Sequence, residues 1–267
     1  MNAGVAALVA AKVVGPRRDY KIAVTQPHNV PFTLLGAGLL WFGWFGFNAG
    51  SALAANATAA LAFTTTMLAP AGTLVVWTLL DAARHQKSTA VGAATAIVVG
   101  LVAVTPAAGF IGPMSAIALG AIAAVPSYFG LLWRSRSNLD DSLDVVGAHG
   151  VGGTVGALLT GVFAQKALNG VADGLLFGNP QQLLIQAVAV GAAIAYSGAA
   201  SFLLLKLISL VLPLRADDTH ETEGLDVTLH GEAAYIHEEG VRAVLPIMPA
   251  EEGADAFGGS EQPATAS

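Results

Sequence analysis

The chain has 267 residues, of which 54% are hydrophobic and 11% are charged, and it contains no cysteine. Soluble globular domains carry about 25% charged residues, so this composition argues against a soluble protein and favours the lipid bilayer as the solvent. Disulfides and thiolate metal sites are excluded. The net charge of −6 averages two regions: residues 1–215 hold eleven basic and six acidic side chains, whereas residues 216–267 hold one basic and twelve acidic. Neither region indicates nucleic-acid binding.

The N-terminal segment is apolar but short. Residues 1–14 are interrupted only by Asn2 and Lys12, and the segment ends in Gly15-Pro16-Arg17-Arg18. A full span needs about 20 residues, so this segment cannot cross the bilayer. A secretory signal carries its positive charge ahead of the apolar run, which excludes that interpretation. An interfacial helix with a snorkelling Lys12 is an alternative, but a truncated transmembrane helix explains the segment better.

Six longer apolar segments follow, and each is predicted to cross the membrane as a helix. Residues 22–80 and 88–133 contain no Asp, Glu, Lys or Arg, so helices there leave no charge in hydrocarbon. The last segment begins after Asn179-Pro180 and is long enough that it must tilt or protrude. The sequence predicts an all-α polytopic membrane protein with full spans at about 32–53, 57–80, 89–107, 113–133, 145–165 and 180–212.

Basic residues occur at alternate connectors between these segments, at Arg17/Arg18/Lys21, Arg84/Lys87, Arg134/Arg136 and Lys206/Arg215. By the positive-inside rule these connectors are cytoplasmic. We therefore expect a multi-pass protein of the plasma (inner) membrane with a cytoplasmic C-terminus. Residues 1–215 form the predicted transmembrane domain and residues 216–267 an acidic cytoplasmic tail. Beyond about residue 236 the tail is rich in Glu, Ala, Gly and Pro and is predicted to be disordered.

An aromatic face is predicted on the first full span. Trp44, Phe47 and Ser51 are spaced i, i+3 and i+7, which places them on one side of a helix. Aromatic faces attract a desolvating cation such as ammonium, and a hydroxyl can accept a hydrogen bond from it. An interfacial aromatic belt or ordinary helix packing is the alternative interpretation of the same pattern.

His149 is the ionisable residue that lies inside an apolar segment. Charged groups at bilayer depth cost about 2.5–3.5 kcal/mol on insertion scales, so such residues usually line a substrate or proton path. The alternative is a neutral imidazole that a neighbouring helix satisfies. Gly152 and Gly156, four residues apart, indicate close helix packing around it. Asp144, five residues earlier, is predicted to cap the helix rather than to shuttle protons.

Other functional classes have little support. No nucleophile, base and orienting group recur at a useful spacing, and neither a phosphate-binding loop nor an HExxH metal site is found in the sequence. We therefore expect no enzyme activity, metal or cofactor. A generic ion-coupled transporter would have charged coupling residues near the bilayer midplane, and apart from His149 the predicted spans have none.

Several motifs in consistent order resemble the Amt/Mep/Rh ammonium transporter family over residues 1 to about 235. They are Pro27-His-Asn-Val-Pro31, Gly43-Trp-Phe-Gly-Phe-Asn-Ala-Gly-Ser51, Val104-Thr-Pro-Ala-Ala-Gly109, Asp144-Val-Val-Gly-Ala-His-Gly-Val-Gly153, Glu223-Gly-Leu-Asp226 and His230-Gly-Glu-Ala-Ala-Tyr235. The resemblance implies an eleven-helix bundle of two inverted five-helix repeats, with a pore through each subunit of a trimer. It aligns this chain with the second repeat, the last helix and the tail.

The resemblance also implies roles for individual residues. His149 matches the second of two pore histidines, and the first would fall immediately before Met1. Phe47 matches one of two stacked gate phenylalanines, Trp44 an aromatic wall near the histidines, and Ser51 the hydroxyl of the external recruitment site. Thr105 matches a threonine near the pore, without a firm role.

By this resemblance, ammonium is attracted at the outer mouth, loses its proton on entering the apolar channel and crosses as ammonia. Desolvation favours that step, because burial disfavours the charged form of an amine. The tail resembles a cytoplasmic segment that contacts a neighbouring subunit, and family partners include PII-type nitrogen signalling proteins. On this view the chain is the C-terminal half of a homotrimeric transporter and is inactive or incomplete alone. The alternatives are an ammonium sensor, or a non-conducting remnant that pairs with a separately encoded first half.

Overall fold

The computed structural model describes residues 1–22 and 27–234, and over these ranges it contains helices and no β-strand. The predicted all-α fold is confirmed. Met1–Ala216 is one compact unit, and the described residues from Asp217 onward belong to a second. In chain order the helices are α1 (Asn2–Val14), α2 (Val30–Gly50), α3 (Ala57–His85), α4 (Ala90–Val104), α5 (Pro113–Arg136), a π-helix (Val146–Val151) that continues into α6 (Gly152–Phe163), α7 (Lys166–Asn169), a 3-10 turn (Leu175–Phe177), α8 (Gln181–Ser209), α9 (Asp218–Glu223) and α10 (Leu225–His230).

Five helical segments in the described part of the chain are long and apolar enough to cross a membrane. They are α2, α3, α5, the π-helix together with α6, and α8. The predicted span at residues 89–107 is the exception, because α4 has only 15 residues. At 1.5 Å per residue it rises about 22 Å, which is less than a hydrocarbon core of about 30 Å. The prediction of six full spans is therefore wrong for this segment.

Pro106 explains why α4 is short. Proline has no N–H to continue the helical hydrogen bonds, and its ring conflicts with the carbonyl four residues earlier. The chain turns instead, with the Ala107 N–H donating to the Val104 carbonyl at 2.8 Å and the Phe110 N–H donating to the Ala107 carbonyl at 2.8 Å. Hydropathy does not detect this break, because the residues around it are apolar. Thr105 consequently lies at the point where the helix ends.

Polar side chains cap the N-termini of three helices, α2, α3 and α4. Asn29, Asn56 and Thr89 each accept a hydrogen bond from the backbone N–H three residues later, at the starts of α2, α3 and α4. Such caps satisfy N–H groups that have no partner within the helix. The last long helix begins directly after Pro180, as predicted, and ends at Ser209. Its 29 residues extend about 44 Å at 1.5 Å per residue, so it must tilt or protrude, also as predicted.

The most extensive packing joins α3 to α4 and α5. A Cβ atom at Gly100 would overlap the backbone of Pro70, and one at Gly120 would overlap the carbonyl oxygen of Ala69. Small residues at such crossings let helix backbones approach closely in lipid, where packing rather than water exclusion holds helices together. The Thr73 hydroxyl lies at this crossing and donates to the Gly120 carbonyl at 2.9 Å. The buried side chains around it include Ala103, Val104, Ala107, Ile111, Ala116, Leu119 and Ala123.

The first helix packs against the π-helix and α8. A Cβ atom at Gly4 would overlap the backbone of Gly150, so the two helices cross at close range. The Ser197 hydroxyl of α8 donates to the Asn2 carbonyl at 2.9 Å. With 13 residues, α1 is an apolar helix too short to span the bilayer, as predicted. Its packing places the first turn of α1 beside the segment that carries the candidate histidine.

Arg17 and Asp140 join the connector that follows α1 to the connector that precedes the π-helix. Arg17 donates to the Asp140 carboxylate from its backbone N–H at 2.8 Å, from Nε at 2.9 Å and from Nη2 at 2.8 Å. The Tyr20 hydroxyl donates to the Leu139 carbonyl at 2.7 Å. Burial alone raises the pKa of Asp140, but the hydrogen bonds and the charge of Arg17 outweigh it, so the pKa lies below its ordinary value.

The second unit contains two short helices in its described part, α9 and α10. Asp226 accepts from the Ala234 N–H at 3.0 Å, which closes the chain back onto the start of α10. Gly231 follows α10 with a φ of 71°, a left-handed conformation that glycine adopts without strain. The predicted disorder beyond about residue 236 lies outside the described residues.

Gly120→Ala is expected to destabilise the bundle, because the added methyl group overlaps the Ala69 carbonyl and forces α3 and α5 apart. Overpacking of this kind costs about 1–3 kcal/mol. The measurement is thermal unfolding in detergent, followed by circular dichroism. Gly191→Ala is the matched control, since Gly191 lies within α8 with open space beside it. The control is expected to be neutral or more stable, because alanine favours helices. Equal stability of the two variants would contradict the close packing of α3 and α5.

Acid is expected to weaken the fold through Asp140. Its pKa is lowered in the folded state, so the stabilisation is present above the unfolded pKa of about 3.9 and is lost as pH falls through the lower folded pKa. Because the Arg17 side chain is 38% exposed, the effect is about 1 kcal/mol. Chemical unfolding at pH 7 and pH 3 measures it. Asp140→Asn should already be weakened at pH 7 and should lose less on acidification than the wild type. An identical loss in both proteins would contradict this role for Asp140.

Candidate functional site

An open cavity of about 410 Å³ lies between α2, α4, α6 and the first turn of α1. It brings together four of the five pore residues predicted from the sequence, namely Trp44, Phe47, Thr105 and His149. These residues come from three separate elements, since α2 supplies the two aromatic rings, the end of α4 the hydroxyl and the π-helix the imidazole. The remaining lining residues are Met1, Asn2, Ala3, Val102, Pro106, Gly153, Ala157 and Ala193.

The aromatic side chains on α2 face the same cavity, as the i, i+3 spacing predicts. The rings of Trp44 and Phe47 meet edge to face, with their centroids 5.8 Å apart and their planes at 82°. This arrangement is the favoured one for aromatic pairs. The Trp44 indole Nε1 donates to the Thr105 hydroxyl at 2.8 Å. The cavity wall on this side is therefore an aromatic surface whose polar atom is already paired.

Ser51 is the predicted site residue that does not line this cavity. Helix α2 ends at Gly50, and Ser51 follows as its C-cap. The Ser51 hydroxyl donates to the Phe47 carbonyl at 2.7 Å, which satisfies one of the carbonyls that a helix end leaves without a partner. The residue is exposed. Ser51 thus lies one turn beyond Phe47, at the end of α2 that is opposite to Asn29.

His149 lies between two cavities. On one side it faces the cavity with Trp44 and Phe47, and on the other it faces a second open cavity of about 270 Å³. Thr33 and Thr95 give the second cavity its hydroxyl groups, and the other lining residues are Gly36, Ala37, Leu40, Ala94, Val98, Leu143 and Ala148. Within the described ranges, no hydrogen bond to the His149 ring is found. Both ring nitrogens can therefore still form hydrogen bonds.

The segment that carries His149 is a π-helix rather than the ordinary helix that the sequence predicts. Such i→i+5 segments are rare, usually occupy a single turn and are frequent at functional sites. Its glycines permit close neighbours, because a Cβ atom at Gly147 would overlap the side chain of Leu131. The glycine-rich sequence around His149 was the available signal for an irregular helix. Glycine content alone, however, does not distinguish a π-helix from an ordinary helix that packs closely against a neighbour.

Asp141, and not Asp144, caps this segment, so the sequence-based cap assignment is wrong. The two carboxylate oxygens of Asp141 accept from the Val145 N–H at 3.1 Å and the Val146 N–H at 2.7 Å. Asp144 has a positive φ of 56° and its side chain forms an ion pair with Arg134. Since the chain turns through a left-handed conformation at Asp144, the carboxylate three residues earlier, rather than its own, reaches the free N–H groups.

Two opposing effects act on the Asp144 carboxylate at the start of the π-helix. Burial raises the pKa of Asp144 above its ordinary value, and the neighbouring Arg134 opposes that shift. The Asp141 side chain is itself buried, with 6% of the residue exposed. Both of its carboxylate oxygens accept hydrogen bonds from backbone N–H groups. The backbone before His149 is consequently held by a carboxylate, whereas the cavity walls carry aromatic and small apolar groups.

Asn48 is a further polar residue of α2, and the sequence interpretation gave it no role. Its side-chain amide donates to the Thr66 hydroxyl at 2.9 Å, and both residues are buried. Trp41 of the same helix donates to the Thr66 carbonyl at 3.2 Å. These bonds fix the rotation of α2 against α3 and thereby the direction in which its aromatic face points. Asparagine within an apolar segment was the signal that could have identified it.

No group of three or more His, Cys, Asp or Glu that could hold a metal ion occurs among residues 1–22 and 27–234. The side chains that line the cavity are aromatic, hydroxyl, amide, imidazole and apolar groups. Aromatic faces attract cations, and an imidazole can donate and accept a hydrogen bond. Apolar surroundings favour the uncharged form of an amine. The site therefore suits a small molecule that exists as both a cation and a neutral base.

Comparison with known proteins agrees with this chemistry. The pattern of the Ammonium Transporter Family matches residues 1–235. The ammonium transporter of Aquifex aeolicus is 48% identical over 236 residues, which cover 88% of this chain and 55% of the relative. The crystal structure of Saccharomyces cerevisiae Mep2 is similar with a TM-score of 0.75 and 32% identity, over 81% of this chain and 51% of that chain.

A solved structure of a sensor Amt protein has a TM-score of 0.76 and 34% identity, and the match covers 86% of this chain and 57% of that chain. The chain thus spans about half the length of the relatives that it matches. The resemblance identified from the motifs is confirmed at the level of the family. The chain belongs to the ammonium transporter family and is a multi-pass membrane protein.

Proposed function

We propose that this chain forms one wall of a path that carries ammonium or ammonia across the membrane. The observation that supports it most strongly is the position of His149 between two open cavities, one of which is also lined by Trp44, Phe47 and Thr105. An ionisable residue at bilayer depth is expected to serve transport. The membership of the family makes ammonium the substrate to test.

The proposed path begins at the Ser51 end of α2. There the Phe47 and Trp44 rings attract the cation, and the Ser51 hydroxyl, which retains acceptor capacity, contributes a hydrogen bond. Entry into the apolar cavity strips water from the cation and lowers its pKa, so the cation transfers its proton to solvent water at the open mouth and ammonia moves on. His149 then offers hydrogen bonds between the two cavities. In the second cavity the hydroxyls of Thr33 and Thr95 offer further hydrogen bonds to the ammonia molecule.

The orientation and partners follow from charge and from the family. We propose that the basic connectors and the tail lie in the cytoplasm, by the positive-inside rule, and that the membrane is the plasma (inner) membrane. Ser51 then faces outward. The assembly proposed for the complete transporter is a homotrimer. A PII-type signalling protein is the candidate partner at the cytoplasmic face, where the acidic tail also lies.

We further propose that the opposite wall of the path comes from additional polypeptide. The support is the openness of both cavities and the exposure of Phe47, of which 59% is accessible. A gate ring needs a facing surface before it can exclude water. A histidine facing His149 would complete a pair along the path. Conduction by this chain alone is therefore expected to be absent or weak.

An ammonium sensor is the second candidate, and the similarity to a sensor Amt protein favours it. A sensor would use the same cavity to bind ammonium and would report through the cytoplasmic tail without needing rapid conduction. The third candidate is a non-conducting remnant that pairs with a separately encoded first half. Growth on ammonium separates the transporter from both, because only conduction rescues a strain without ammonium uptake.

The direct test is growth of a transporter-deficient yeast strain on low ammonium. The chain alone is compared, at matched membrane expression, with the chain joined behind the first half of the Aquifex aeolicus relative. Rescue by the joined form and not by the chain alone is expected. Rescue by neither, with both forms correctly inserted, would contradict the transport proposal. Rescue by the chain alone would contradict the need for a second wall.

His149→Ala in the joined form is expected to leave insertion intact and to reduce ammonium uptake by at least about tenfold, since losing one hydrogen bond in an apolar path costs about 1.4 kcal/mol or more. The matched control is His85→Gln, because His85 is the last residue of α3, is exposed and lies outside both cavities. The control should retain uptake. Unchanged uptake in His149→Ala would rule out the proposed role of the imidazole.

A further inference from the structure

Thr105 holds an unusual position at the end of α4. The helix stops at Val104 because of Pro106, and the chain turns away immediately afterwards. The Thr105 hydroxyl is left at the cavity wall, beside Trp44 and facing the same space as His149. Thr105 itself keeps a helical conformation as the C-cap of α4. Its hydroxyl is therefore held at the last turn of the helix, where it meets the indole.

The hydrogen bonds of Thr105 fix the direction of its lone pairs. Its hydroxyl donates to the Leu101 carbonyl at 2.7 Å, in the i→i−4 manner of threonines in helices. A hydroxyl has one proton, so the remaining lone pairs can only accept. One of them accepts from the Trp44 indole Nε1 at 2.8 Å. The indole N–H is thus tied to a rigid backbone through one side chain.

We propose that Thr105 is a positioning residue that locks the Trp44 indole and thereby sets the width of the cavity beside His149. The locked ring meets Phe47 edge to face, so its orientation also determines where the Phe47 ring can pack. A fixed indole keeps the passage narrow and favours ammonia over larger amines. This last consequence for selectivity rests on the proposed transport function, whereas the positioning of the ring does not.

The positioning role depends on the scarcity of other hydrogen-bond acceptors near the Trp44 indole N–H. Trp44 is half-buried in a wall of apolar and aromatic groups. An indole N–H without a partner there loses a hydrogen bond that water does not fully replace. The ring would then turn to find another acceptor. Thr95 of the same helix makes a similar backbone bond, since its hydroxyl donates to the Val91 carbonyl at 2.9 Å. What distinguishes Thr105 is the bond that it accepts from the Trp44 indole.

The test of positioning is nuclear magnetic resonance of the tryptophan indole N–H groups in the full chain, reconstituted in lipid nanodiscs. Trp44→Phe assigns the Trp44 resonance by its disappearance. Thr105→Val, which keeps the shape and removes the acceptor, is expected to move the Trp44 resonance upfield. Thr105→Ser should restore it. The resonance of Trp41, which donates to the Thr66 carbonyl, is the internal reference and should not move.

Thr95→Val is the matched control for loss of a threonine hydroxyl from α4, and it should leave the Trp44 resonance in place. A Trp44 resonance that is unchanged in Thr105→Val, or that moves as far in Thr95→Val, would overturn the positioning role. Because this readout does not depend on conduction, it remains decisive if the chain proves to be a sensor or a remnant.

The test of selectivity uses the joined form that carries the first half of the relative. In Thr105→Val the ratio of methylammonium to ammonium uptake is expected to rise by about fivefold, which corresponds to about 1 kcal/mol at 1.36 kcal/mol per factor of ten. Thr64→Val, whose hydroxyl is on the exposed face of α3, should keep the wild-type ratio. In Trp44→Phe, adding Thr105→Val should have no further effect, because the shared bond is already gone.

An unchanged uptake ratio together with a shifted Trp44 resonance would overturn the selectivity role and leave the positioning role standing. An additive effect of the two substitutions would show that Thr105 acts on selectivity by another route, against the proposal. Absence of uptake in the joined wild-type form would refute the transport function and not the contact between Thr105 and Trp44.

Discussion

The structure depends on the need to satisfy the backbone polar groups inside an apolar bundle. Little water is available there, so backbone N–H and C=O groups must find partners within the protein. Most of the chain meets this need with ordinary helices. At two places along the cavity the helices are irregular. The helix α4 ends early at Pro106, and the segment around His149 forms a π-helix. A polar side chain lies on the cavity wall at each of them, Thr105 at the end of α4 and His149 in the π-helix.

The two irregular segments are supported in different ways. Asp141 supplies a buried carboxylate to the first N–H groups of the π-helix segment, and α1 passes close to its backbone at Gly150. At the end of α4, the Thr105 hydroxyl spans from its own helix to Trp44 of α2. The Arg17–Asp140 pair joins the connector that follows α1 to the connector that precedes the π-helix. The cavity residues are thus held partly by one another and partly by neighbours outside the cavity.

The sequence predicts much of this arrangement. Charge-free segments identify the long helices, and the Asn179-Pro180 signal identifies the start of α8. The i, i+3 spacing correctly places Trp44 and Phe47 on one face. His149, an ionisable residue within an apolar segment, lies on the wall of the same cavity. These features follow from local rules of hydropathy and helix geometry. The assignment of a path for ammonium to these residues stays a proposal.

Other features depend on tertiary packing, which local patterns do not contain. Pro106 was compatible with a kinked helix as well as with a helix end, and only packing decides between them. The spacing of Asp144 suited a cap, but a left-handed turn at that residue gives the role to Asp141. Ser51 shares the aromatic spacing, but the helix ends one residue earlier and its hydroxyl returns to the backbone.

The central claim is that ammonium or ammonia enters the cavity and meets His149. The most direct measurement is a titration of the full chain, in lipid nanodiscs with isotope-labelled histidine, followed through the imidazole resonances. His149→Ala assigns the relevant signal. Added ammonium chloride is predicted to shift the His149 resonances saturably, with sodium chloride at equal ionic strength as the reference and with smaller or no shifts at the other five histidines. Equal shifts with both salts, or no shift at His149, would contradict the account.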